Sequence, residues 1–353
     1  MYLVDTGLHF ALRVSWVVLL IRHALHTSRP SARDGFGSFG PIVGRFEGQL
    51  QTLNNILQVS RSETTVVVII IIVVVFIIIT ITMRATELIN RFMMEFGWEA
   101  LNCGFMIAQR TVWVFTGTYW QLRQTRKPEN YARSAQVMNI LGRFKFDDYL
   151  APAKRSDFIL THNRFENPEI VLQDHITLYH VNEKEAVFVE APVGAELWRA
   201  RYSPFFMAAQ YYNAVRVICM PIHSFYRLTE KLEDPKNLTF ITNTARCGST
   251  LLTQMFESTG KVVCLSEPSA LNVMTKVAED KEHKEGIDRL FRHTVRMLCK
   301  PTKNNEVGYV LKLTGPAMPR LDHIATLFPK SKSLFMYRDF LKVEQNIQQG
   351  SEQ

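Results

Sequence analysis

Arg246, Cys247, Gly248, Ser249 and Thr250 are the closest grouping of residue types able to do chemistry, inside the stretch LTFITNTARCGSTLL from Leu238 to Leu252. Apolar β-formers, Phe240 and Ile241, lead into them, and an apolar run with helix character follows as far as Gly260. A helix N-terminus has unpaired backbone N–H groups and a partial positive charge, so a glycine-bearing turn there suits phosphate or sulfate oxygens. An ordinary strand-turn-helix connection has the same outline. Against the nucleotide-hydrolase pattern GxxxxGK[ST], Asn243 stands at the first glycine and Ser249 at the lysine. Without that lysine, and without a clear strand-end aspartate for magnesium, ATP or GTP hydrolysis is not expected. Arg246 moves the positive charge within the loop, which suits departure of a small anionic group from a phosphate without a metal.

The elements that must position this loop alternate strand with helix. Strands are expected at Lys261–Ser266, Val307–Thr314 and Ser333–Tyr337, with helices at Ser269–Asp280, Gly286–Cys299 and Met318–Leu327. Such alternation predicts an α/β fold with a P-loop-like parallel sheet flanked by helices, whose ligands bind at the carboxyl ends of the strands. Arg246, Glu267, Lys312 or Thr314, and Arg338 gather at that edge.

These residues carry a resemblance. TARCGSTLL resembles the 5′-phosphosulfate loop of the sulfotransferases that use PAPS (3′-phosphoadenosine 5′-phosphosulfate). The segment LFPKSKSLFMYRDF, Leu327 to Phe340, is similar to that family's FPxAKxIxxxRxP block through Phe328, Pro329, Lys332, Arg338 and Asp339, with Phe340 in place of proline. The resemblance covers residues 238–353 only. It implies PAPS as cofactor, with no metal. Arg246 would hold the 5′-phosphosulfate, helped by Cys247, Gly248, Ser249 and Thr250, and Arg338 would meet the 3′-phosphate. Asn346 stands where the family usually has serine, and still donates a hydrogen bond.

A base for the acceptor and a cation over the transferring group are also required. Lys312 matches the strand-end lysine of the cytosolic branch, but Thr314 replaces its histidine. Glu267 is then the candidate base, as in membrane-bound branches that use a carboxylate; complementing the dipole of a helix starting near Ser269 is the alternative role. Cys247 reads either as a small loop residue or as a thiol lowered by the helix N-terminus. The chain ends soon after Arg338, short of the helices and closing loop of the family, so the domain is expected to be incomplete.

Farther upstream, Thr64 to Thr82 (TTVVVIIIIVVVFIIITIT) holds no charge and approaches the ~20 residues needed to cross a bilayer. The expectation is a single-pass transmembrane helix over 64–83, with the Golgi or another secretory-pathway membrane as location. Its low complexity equally fits a translated DNA repeat. Flanking arginines leave the topology open. Asn237-Leu238-Thr239 is a glycosylation sequon if its side is lumenal. Residues 1–63 read as an N-terminal segment with an interfacial or core helix at Val14–Ile21 and a linker. Residues 85–237 read as a mixed region: helical to about 150, a β-hairpin from His175–Asn182 and Glu185–Ala191, then helices over Ala195–Asn213 and Val215–Leu232. Aromatic residues Trp98, Trp113, Phe115, Tyr119 and Trp120 are expected in a helical core. His175 and His180 are expected at the surface of the hairpin and not as metal ligands.

The formal charge of +8 favours acidic partners. The five cysteines lack CxxC spacing, which excludes a zinc ribbon but leaves one or two disulfides open. The expected function is therefore a membrane-anchored sulfotransferase acting on a hydroxyl or amine of a carbohydrate, protein tyrosine or lipid, with PAPS and the lipid bilayer as partners and no nucleic acid. A non-catalytic membrane protein carrying a degenerate domain is the competing reading. A nucleotide kinase is disfavoured by the missing lysine.

Overall fold

The computed structural model describes residues 63–145, 147, 151–244, 247–275, 281–304, 306–315 and 321–339; for residues 63–85, 87–88, 274–275 and 281–283 it describes the backbone alone. The chain divides into two units, residues 1–87 with 340–353, and residues 88–339. In the first, the expected helix at Val14–Ile21 and the linker lie outside the described residues. The backbone of the Thr64–Thr82 run is helical, within α1 (Glu63–Phe115). Its side chains lie outside the described residues, and among the described ones no helix is long and apolar enough to cross a membrane.

The second unit holds two sheets. Four parallel strands, β6 (Leu238–Asn243), β7 (Val262–Ser266), β8 (Gly308–Lys312) and β9 (Lys332–Met336), lie in the order β7-β8-β6-β9. Helices α5 (Ser249–Ser258), α6 (Lys281–Leu298) and α7 (Leu321–Leu327) alternate with them. The expected α/β architecture is present in this part of the chain. Ser269–Thr275 is a 3-10 helix where an α-helix to Asp280 was expected, and residues 276–280 and 316–320 lie outside the described ones.

Upstream stands a five-stranded antiparallel sheet, β2-β1-β5-β4-β3, from β1 (Ala135–Arg143), β2 (Phe158–Glu166), β3 (Ile176–Val181), β4 (Glu185–Glu190) and β5 (Arg216–Pro221). The hairpin β3-β4 is where the sequence puts it. Two other strands, β1 and β5, correct the helical expectation, and β2 lies where no element was expected. β5 replaces the first half of the helix expected over Val215–Leu232, because Val217, Ile218, Cys219 and Met220 are all buried, the first three pairing with both β1 and β4 and Met220 with β4. Pro221 ends that strand, and α4 (Ile222–Thr229) follows. Likewise only α3 (Phe206–Asn213) survives of the helix expected from Ala195.

Residues 88–115 of α1 do not form a helical core. They lie along β2, the edge of the antiparallel sheet, with a polar face inward. Trp98 Nε1 and Asn102 Nδ2 donate to the Ser156 carbonyl at 2.7 and 3.1 Å, and Gln109 Nε2 donates to the Leu160 carbonyl at 2.9 Å. Edge-strand carbonyls that would otherwise invite another chain are thus occupied. Trp98 packs on Phe144 and Trp113 on His162, whereas Phe115 and Trp120 are exposed.

One apolar core joins the sheets, with Ile218, Phe225, Phe240, Leu311 and Phe328 among its members. Polar ties reinforce it. The buried Lys300 ammonium donates to the carbonyls of Val171, Gln173 and Ile176, each at 2.6 Å, and burial pushes its pKa down to about 7, with the charge of Asp174 opposing. All five cysteines are free thiols.

Candidate functional site

β6 and β8 are neighbours whose following connections run to opposite sides of the parallel sheet, β6 to β7 and β8 to β9. Adjacent strands with diverging connections open a crevice at their carboxyl ends, the usual ligand position in such sheets. The group that fills this crevice is Lys312, the last residue of β8. Its side chain is 2% exposed, and its ammonium lies 2.6 Å from Glu267 Oε1 and 2.9 Å from the Thr250 hydroxyl.

Each partner is placed by a local device. Gly248, with φ of 89°, caps α5 in the left-handed conformation that glycine adopts at little cost. The chain can then turn straight from β6 into the helix, where Ser249 and Thr250 occupy the first turn and their N–H groups have no intrahelical carbonyl to meet. Ser249 is buried, Cys247 is half-buried, and the Thr250 hydroxyl accepts from Lys312. Glu267 follows β7 with φ of 56°, a conformation that costs a non-glycine residue about 1–2 kcal/mol. Its backbone N–H donates to the Lys312 carbonyl at 2.9 Å, extending the β7-β8 ladder by one bond while the side chain turns back over the strand ends. Strain of this kind concentrates where a side chain must be aimed.

The sequence-derived residues meet this geometry unequally. Glu267, Lys312 and Thr250 are in direct contact, with Gly248, Ser249 and Cys247 beside them. Thr314 turns its hydroxyl to Asn272 Oδ1 at 2.9 Å and takes no part in that contact. Arg338 follows β9 with its side chain exposed, and its backbone N–H donates to the Thr244 hydroxyl at 3.3 Å, tying it to the end of β6. Among the described residues its guanidinium has no ion-pair partner. Arg246 and Asn346 lie outside the described residues. Phe205 is an addition from the antiparallel half: its ring centroid lies 5.5 Å from the Lys312 ammonium. No local sequence signal marks it, because the contact comes from packing of the segment before α3.

Backbone N–H groups, a hydroxyl, a buried ammonium and an exposed guanidinium together can hold an anion at two places, one over the α5 N-terminus and one at the β9 end. Among the described residues the hydrogen bond to Glu267 is made at Oε1, which leaves Oε2 as an acceptor for a further donor. The donor set therefore fits a ligand with separated phosphate or sulfate groups.

Two expectations outside the site change. His175 is buried and not at the surface, with desolvation lowering its pKa, and His180 is half-buried beside Asn182. Among the described residues no cluster of three or more metal-ligating side chains forms. The sequon residue Asn237 donates its side-chain amide to the Val307 carbonyl at 2.7 Å at the start of β6. No family model, curated protein or solved structure matches this chain.

Proposed function

We propose that the protein is a PAPS-dependent sulfotransferase, anchored by the Thr64–Thr82 run in a secretory-pathway membrane, that transfers a sulfuryl group to a hydroxyl or amine acceptor. The observation that carries this reading is the contact of Lys312 with both Thr250 of the loop and Glu267 across the crevice. PAPS supplies an activated sulfuryl group on its 5′-phosphate. The N–H groups of Ser249 and Thr250 hold the anionic end, with Arg246 assigned to the same task by the loop resemblance. Lys312 places positive charge where the leaving phosphate oxygen gains negative charge. Glu267 accepts the proton of the acceptor through Oε2 while Lys312 fixes Oε1. Arg338 holds the 3′-phosphate.

A binding protein without turnover is the second reading. It is favoured by Thr314, which stands where a histidine base serves one branch of the family and whose hydroxyl is engaged by Asn272.

Titration of the full-length protein in detergent with PAP, the desulfated cofactor, tests both. Binding followed by transfer of labelled sulfate from PAPS to an acceptor panel supports the enzyme. Binding without transfer supports the second reading, and no binding at millimolar PAP overturns both. Extraction of the protein from membranes by alkaline carbonate would overturn the anchor.

A further inference from the structure

A second concavity, of about 830 Å³, lies between α1, α2 (Thr118–Thr125) and the antiparallel sheet, away from the residues assigned to PAPS. Its size falls in the ordinary range for small-ligand sites. Four arginines reach it from three segments: Arg110 from α1, Arg123 and Arg126 from the last turn and the capping residue of α2, and Arg155 from the 3-10 turn before β2. Arg155 is committed to Glu185 at 3.1 Å. Among the described residues Arg110, Arg123 and Arg126 have neither an ion pair nor a side-chain hydrogen bond. The lining contains one carboxylate, Glu99, and its Oε1 is taken by the Ser156 hydroxyl at 2.8 Å.

Asn102 and Gln109 of α1 line the floor of this cleft, and their amide N–H groups are already spent on the carbonyls of Ser156 and Leu160. Among the described residues the charged groups left without a partner in the lining are the three arginines, with Trp113 and Tyr119 on the same wall. Guanidinium groups present planar forks of N–H donors that match phosphate oxygens in pairs. Two of them at the C-terminal end of α2 and one on α1 supply three such forks around a cleft whose lining has a single carboxylate, and that one already engaged.

We propose that this cleft is a binding site for a multiply charged phosphate ester, held by Arg110, Arg123 and Arg126. The same chemistry occurs on soluble inositol phosphates and on phosphoinositide headgroups. The site does not depend on the sulfotransferase reading, because it shares no residue with the PAPS crevice.

The test uses the full-length protein and two probes, soluble inositol trisphosphate by calorimetry and phosphatidylcholine vesicles with or without the phosphoinositide bearing that headgroup. Saturable binding of the soluble probe assigns a soluble ligand, and binding confined to phosphoinositide vesicles assigns the lipid; either supports the site. The triple variant Arg110→Ala, Arg123→Ala, Arg126→Ala should weaken binding about a hundredfold, and the triple change to lysine should weaken it less, because charge remains while the forks are lost. All three arginines are exposed, so circular dichroism of the variants should match the parent. A control of equal charge, Lys236→Ala, Lys261→Ala, Lys330→Ala, should bind as the parent does. Failure of both probes, full affinity in the arginine-to-alanine variant, or an equal loss in the lysine control would each overturn the proposal.

Discussion

Lys312 and Glu267 are joined twice. The Glu267 backbone N–H donates to the Lys312 carbonyl at 2.9 Å, and the Lys312 ammonium donates to Glu267 Oε1 at 2.6 Å. The first bond continues the register Ser266 to Lys312 of the parallel ladder, and the second closes a ring of main chain and side chain over the strand ends. A buried ammonium needs such a partner, and the left-handed conformation of Glu267 is what turns the carboxylate toward it. The pair thereby fixes both candidate catalytic groups before any ligand arrives.

Burial of the two partners is unequal, at 2% for the lysine side chain and 26% for the glutamate, so their removal should cost unequal amounts. Glu267→Ala strands a dry ammonium and is expected to lower unfolding free energy by about 3 kcal/mol. Lys312→Met leaves a carboxylate that water can reach, for an expected loss of about 1–2 kcal/mol. Urea denaturation of both variants checks the order. A larger loss for Lys312→Met would mean that the carboxylate, not the ammonium, is the group in need of its partner.

Arg338 should discriminate nucleotides by their 3′-phosphate. Its side chain is exposed, so Arg338→Ala should leave the fold intact. The variant should bind PAP about tenfold or more weakly while its affinity for adenosine 5′-phosphosulfate, which lacks the 3′-phosphate, changes little. Equal losses for the two ligands would remove the 3′-phosphate role.

The parallel half of the molecule was legible because each of its strands is an apolar run cut off by a charged or turn-forming residue: Glu267-Pro268 after β7, Lys312 at the end of β8 and Arg338 soon after β9. The antiparallel sheet hid for different reasons. β1 buries four consecutive residues, Ala135–Met138, and carries an extra residue at Leu141 against β2, so its sequence lacks a continuous two-residue alternation. β5 is buried along both sides and follows α3 after a short connection, so its apolar residues merge with the helix before it, and Pro221 looks like a helix break when it ends a strand. Phe205 could not be read at all, since its contact with Lys312 exists only once the two halves pack.

The cover on β2 yields a third expectation. Gln109→Glu keeps the size of the side chain but sets a carboxylate oxygen against the Leu160 carbonyl in place of an N–H donor. A loss of about 2 kcal/mol is expected, against about 1 kcal/mol for Gln109→Leu, which removes the bond without adding repulsion. Chemical denaturation gives both values. Indistinguishable variants would show that α1 holds the edge by apolar contact alone.

His293 supplies a pH dependence separable from the site. It is 5% exposed, shares a 2.7 Å hydrogen bond with the Thr229 hydroxyl and packs against the Tyr226 ring. Burial first, then the charges of Arg296, Arg289 and Arg292, pushes its pKa down to about 4, with Glu230 opposing them. In the unfolded chain an ordinary histidine takes up its proton near 6.5. Between those values the unfolded state holds more protons than the folded one, so stability falls as pH falls. The contribution is whole above pH 6.5 and about 3 kcal/mol smaller by pH 4. Other groups titrate in that window, so the quantity to measure is the difference in unfolding free energy between the parent and His293→Gln, which cannot titrate there. That difference should shift against the parent as the solution is acidified from 6.5 to 4, and parallel profiles would show that the folded protein accommodates the imidazolium as readily as water does.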